Sequence, residues 1–164
     1  PEWIECAERH SPVPTGAGEK QDDARKARLW EIERSLLTAG VRLVAGVDEA
    51  GRGPLAGPVV VAAVILHPDA WFCGLNDSKL VPADRREALC AEILQAAVAS
   101  AIEIVPVEII DRDNILRATH AGMRAALLAL AQAPDVALID GLPLPDCPVW
   151  QAVDERDIRR LGQR

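Results

Sequence analysis

Two adjacent carboxylates, Asp48 and Glu49, end an apolar run from Val41 to Val47 and are followed at once by Gly51-Arg52-Gly53. A buried strand that empties into paired acids and a glycine-flanked cation puts charge where a ligand can reach it. Consecutive strand side chains point to opposite faces, so the two acids serve one site only if the backbone bends there, and Gly51 and Gly53 permit the bend. A second acidic strand tip follows later, where the short apolar run Val136 to Ile139 delivers Asp140 and then Gly141. Clustered carboxylates are hard oxygen donors suited to Mg²⁺ or Mn²⁺. Two such ions about 4 Å apart activate a water and neutralise charge on a phosphate and its leaving oxygen. Either acid taken alone has a competing reading as an ordinary polar turn.

The elements that must hold these tips can be read in order. From Asp22 the pattern is helical, with Leu29, Ile32 and Leu36 on one face and Gly40 as the C-terminal stop. Strands are expected over Arg42 to Val47 and Pro58 to Leu66. A loop then carries Asn76-Asp77-Ser78-Lys79 up to Pro82, which suits the first position of a helix running to about Ala97. Ser78 and Lys79 near a helix start suit an anion, or merely cap the helix. Ala101 to Val107 alternates as a third strand that Pro106 ends or places at an edge. Asp113 is expected to cap a long helix with Leu116, Thr119, Met123, Ala126, Leu127 and Leu130 buried. A strand reached through a helical crossover is most simply parallel to an earlier one, which would bring Asp140 beside Asp48. A fifth strand is expected over Val149 to Val153, and the charge-dense stretch from Asp154 to Arg160 reads as a solvated tail.

A chain of 164 residues, 49 % apolar, suits one domain with a normal core. No apolar stretch approaches a membrane span and no signal peptide is evident, so a soluble, cytoplasmic protein is expected. Residues 1–21 mix Pro, Gly, Ser and charge without a period and are expected to be a disordered extension. Cys6, Cys73, Cys90 and Cys147, like His10, His67 and His120, are too scattered for a zinc site and read as packing or surface residues. With 18 basic and 25 acidic residues the net charge is −7, which predicts weak non-specific binding to nucleic acid. Phosphate contacts must then come from a local patch, with Arg52, Lys79, Arg85 and Arg86 as candidates.

Four strings, GVDEAGRGPLAGPVVVAAVIL from Gly46, LNDSK from Leu75, NILRAT from Asn114 and LIDG from Leu138, occur in the order found in ribonuclease HII, and the chain resembles that family over roughly residues 29–157. The resemblance implies a ribonuclease H-like α/β fold, a mixed five-stranded sheet flanked by helices, with residues 22–164 as the catalytic domain. It implies a monomeric endoribonuclease acting on RNA–DNA hybrids and on single ribonucleotides in duplex DNA. Asp48, Glu49, Asp140 and Asp157 would then bind two Mn²⁺ or Mg²⁺ ions, and cleavage would fall 5′ to a ribonucleotide, leaving a 3′-hydroxyl. Gly51, Arg52 and Gly53 match the turn that reads the 2′-hydroxyl, and Ser78 and Lys79 match a contact to the substrate backbone. Asn114 and Thr119 match polar positions of a motif but are explained nearly as well by capping and helix packing.

The match weakens toward the end. Asp157 falls where the family has its fourth carboxylate, but without the flanking Lys-Gly of the family sequence, and the chain contains no tyrosine where family members carry one in a following helix. Absence of that helix would uncover part of the sheet and leave Asp157 poorly fixed. The alternative is a truncated or inactive relative that binds hybrids without cutting.

Overall fold

The computed structural model describes residues 30–53, 57–153 and 157. The expected extension over residues 1–21 and the start of the first helix at Asp22 lie outside these residues. Helix α1 spans Glu31–Thr38 and buries Leu36 completely; Gly40, at φ +91°, ends it as its N–H returns to the Leu37 carbonyl. Strands β1 (Val44–Ala50) and β2 (Val59–Leu66) follow, then helix α2 (Ala83–Ala96) and strand β3 (Ala97–Val105). Helices α3 (Val107–Asp113) and α4 (Ile115–Ala129) precede the short strands β4 (Val136–Ile139) and β5 (Trp150–Ala152).

The five strands form one mixed sheet in the order β3-β2-β1-β4-β5. The pairs β1–β2 and β2–β3 are antiparallel, whereas β4 runs parallel to both β1 and β5. The crossover rule therefore gives the right direction for β4. Alternation does the rest: Val59, Val61, Ala63 and Ile65 of β2 are buried under Ala118, Met123, Ala126 and Leu127 of α4. That helix lies so close to the sheet that a Cβ at Gly122 would meet Val105 Cγ2 at 2.7 Å. Thr119 is buried there because its hydroxyl donates to the Ile115 carbonyl, which makes it a packing residue. On the other face Ile102 and Ile104 remain 54 % and 64 % exposed. A second small core of Phe72, Val81 and Leu89 ties α2 to the loop before it.

Several expected boundaries move. β1 begins at Val44 and continues through Ala50, because it keeps its ladder with β2 past the two acids. β3 occupies 97–105 rather than 101–107, with Pro106 at the cap of α3. Pro82 is the N-cap of α2 rather than its first residue. The long helix expected from an Asp113 cap is α4, and its cap is one residue later, at Asn114, whose side chain accepts from the Arg117 N–H; the short helix α3 before it was not expected. Asp113 instead pairs with Arg112. Asn114 has φ +69°, a left-handed break that asparagine tolerates better than most residues and that separates α3 from α4.

Candidate functional site

The parallel pairing of β1 with β4 decides which acids meet. Val47 is registered with Ile139, and the Asp140 N–H donates to the Val47 carbonyl at 3.1 Å. The next residue on each strand is the acid, so Asp48 and Asp140 leave adjacent strands side by side, where neighbouring strands are about 4.8 Å apart. Asp48 responds to its surroundings: loss of hydration beside the protein raises its pKa above the ordinary carboxylate range, and repulsion from Asp140 and Glu49 adds to the rise. A hydrogen bond from the Glu49 N–H to Asp48 Oδ1, 2.7 Å, and the positive charge of Lys79 oppose it.

Glu49 turns the other way. The ladder continues through Glu49↔Val61 and Ala50↔Val60, so the expected bend between the two acids is absent and their side chains take opposite faces. Glu49 Oε1 accepts from Arg52 Nη1 at 3.1 Å. The chain turns one residue later, at Gly51, whose φ is +88° and whose missing Cβ would stand 2.5 Å from the Pro58 carbonyl oxygen. Only glycine fits that position without displacement. Arg52 and Gly53 follow on the exposed turn, and residues 54–56 lie outside the described set.

Lys79 sits in a compact turn before α2. Its N–H donates to Asp77 Oδ1 at 3.0 Å, and the Leu80 N–H donates to the Asp77 carbonyl at 2.8 Å. Ser78 contributes its carbonyl, which accepts from Arg86. Arg85 and Arg86, expected as phosphate contacts, donate to carbonyls of this loop instead. Asp157 Oδ2 accepts from the Val153 N–H at 3.2 Å, just past β5. Asp48 is thus within electrostatic reach of both Asp140 and Lys79, while the Glu49 carboxylate is held by Arg52. Among the described residues, no three His, Cys, Asp or Glu side chains gather as they would around a metal ion. In donor chemistry the Asp48–Asp140 pair fits a hard divalent cation, which would relieve their mutual repulsion.

One positioning group escapes a motif reading. Asp135 Oδ2 accepts from the Arg42 and Leu43 N–H groups at 2.9 and 3.0 Å, and its own N–H donates to the Leu43 carbonyl. These bonds fasten the start of β4 to the entrance of β1 and hold the carboxyl below the usual carboxylate range. An acid directly before a short apolar strand was the available signal.

The comparisons bear on the same segments. The family model for ribonuclease HII matches residues 45–148, which includes both acidic strand tips.

This chain belongs to the ribonuclease HII family.

It is 50 % identical over 129 residues to ribonuclease HII of Geobacillus kaustophilus, covering 79 % of this chain and 49 % of that protein. It is 52 % identical over 135 residues to ribonuclease HII of Moorella thermoacetica, covering 82 % and 64 %. The chain therefore spans only about half to two thirds of the length of these family members. The crystal structure of ribonuclease H2 from Pyrococcus horikoshii superposes with a TM-score of 0.56 at 26 % identity, covering 74 % of this chain and 56 % of that one. A Bst-RNase HIII solved in complex with Mn²⁺ gives a TM-score of 0.54 at 18 % identity, covering 77 % and 42 %, a likeness of fold. The sheet is thus of the expected ribonuclease H-like α/β class. Among the described residues no helix is long and apolar enough to cross a membrane.

Proposed function

We propose that this chain, over residues 22–164, carries the endonuclease chemistry of its family: hydrolysis of the RNA strand of RNA–DNA hybrids and cutting 5′ to ribonucleotides embedded in duplex DNA. The observation that carries the reading is the β1–β4 register, with Asp140 bonded to the carbonyl just before Asp48. Asp48 and Asp140 form the heart of the ligand set; Asp157 joins it from beyond β5, and Glu49 joins it only by leaving Arg52 and swinging round from the opposite face of β1. Mg²⁺ or Mn²⁺, bound there as two ions, supplies an activated water and charge neutralisation at the phosphate. The Mn²⁺ complex of the HIII fold relative supports a divalent requirement.

The chain's own groups then select and orient. Gly51, Arg52 and Gly53 read the 2′-hydroxyl, the feature that separates RNA from DNA, because a glycine turn lets backbone groups approach closely. Ser78 and Lys79 engage the substrate backbone, and Lys79 does so as a compact point charge. The working form is a monomer in the cytoplasm. The test is cleavage of an end-labelled hybrid in Mg²⁺ or Mn²⁺ by the wild type and by Asp48→Asn. Loss of cleavage with the fold retained supports the assignment; undiminished cleavage refutes it.

One observation favours a second reading, an inactive relative that binds hybrids without cutting: the described residues do not gather three metal-ligating side chains. Retention of hybrid binding without cleavage by the wild type in Mn²⁺ selects it.

A further inference from the structure

The first turn of α2 is fastened to the loop that precedes it by two arginines. Arg86 Nη1 donates to the Ser78 carbonyl at 3.0 Å and to the Val81 carbonyl at 2.8 Å, so a single nitrogen brackets Lys79 and Leu80. Arg85 Nη2 donates to the Cys73 carbonyl at 2.6 Å, while its Nη1 is steadied by Glu92 at 2.7 Å from two turns further along α2. Between these anchors the loop carries no helix or strand. The turn inside the bracket is held by the bonds from the Lys79 and Leu80 N–H groups to Asp77.

Arginine suits this task because its donors lie in a rigid plane and stay charged, whereas an ammonium on a flexible stem does not keep a fixed fork. Lys79 already feels Asp48 electrostatically, so its placement matters to the strand tips. We infer that Arg86 is a positioning residue: by holding the Ser78 and Val81 carbonyls it fixes the turn that carries Lys79, whose charge reaches Asp48, and so sets how the substrate backbone is engaged. The substrate half of this inference rests on the reading of Lys79 given under Proposed function. Arg85 supports the same loop from its far end.

Two measurements on the full chain test it. Amide hydrogen exchange needs no activity: in Arg86→Met the Lys79 and Leu80 amides should exchange about tenfold faster, the loss of one or two hydrogen bonds, while the β1–β2 ladder keeps its protection. Unchanged exchange at both amides overturns the clamp. The second is a double-mutant cycle on kcat/KM for a labelled RNA–DNA hybrid. Arg86→Met should lose about tenfold in the wild-type background and nothing further once Lys79→Ala is present. Equal losses in both backgrounds overturn a role through Lys79 and leave Arg86 as part of the fold alone. If Arg86→Met does not fold, Arg86→Lys, which keeps the charge without the fork, carries both measurements. A wild type that cuts no hybrid sinks the functional reading and the substrate half with it, while the exchange result still decides the clamp.

Discussion

Asp140 and Asp48 are neighbours because the Asp140 N–H is bonded to the carbonyl of Val47, the residue before Asp48. β4 is buried on both faces, and its register with β1, Val47 opposite Ile139, fixes where the two acids emerge. Two carboxylates so placed repel, and the pKa of Asp48 is raised by lost hydration and then by that repulsion.

Asp48→Asn should therefore separate stability from function. Without metal at neutral pH, removing the charge relieves desolvation and repulsion, so the melting temperature should rise or stay level while hybrid cleavage is lost. Asparagine Oδ1 can still accept the Glu49 N–H. Thermal melts in EDTA beside a cleavage assay check this; a clear drop in melting temperature contradicts it.

Asp135 predicts a pH dependence with a definite sign. Its folded pKa lies below the ordinary carboxylate value because the Arg42 and Leu43 N–H groups favour the anion. A depressed folded pKa adds stability that is present above the unfolded value, about 4, and is lost as pH falls through the folded one. Asp135→Ala should destabilise by about 1 kcal/mol near neutral pH, since the carboxylate is exposed. The gap from wild type should shrink as the pH drops below the carboxylate range, as read by urea unfolding at several pH values. A gap that widens in acid is inconsistent with this origin.

Gly51→Ala should destabilise the β1–β2 turn by roughly 1–3 kcal/mol, because a left-handed φ and a Cβ 2.5 Å from the Pro58 oxygen cannot both be relieved locally. Denaturant unfolding should show a lower midpoint with an unchanged slope. An unaltered midpoint would mean that the turn is free to rearrange.

The acids, the strand that carries Asp140 and its parallel direction were legible in the sequence because a buried strand and a crossover leave few choices. The face taken by Glu49 was not. Its direction depends on β1 keeping its pairing through Ala50, a contact with β2 that no local pattern records. Helix α3 was not legible either: its seven residues follow β3 almost directly, and only the backbone turn at Asn114 divides it from α4. Arg85 and Arg86 looked like phosphate contacts because charge in a sequence does not show which carbonyls fold back to meet it.

The central claim is that two strand tips make one cation site. Mn²⁺ titration followed by electron paramagnetic resonance, in which bound ion loses the free-ion signal, tests it without requiring turnover. The wild type should bind Mn²⁺, and Asp48→Asn and Asp140→Asn should each weaken binding at least about tenfold, with the double variant little worse than either. Binding that is unchanged in both single variants, or lost by independent additive steps, would contradict a shared site.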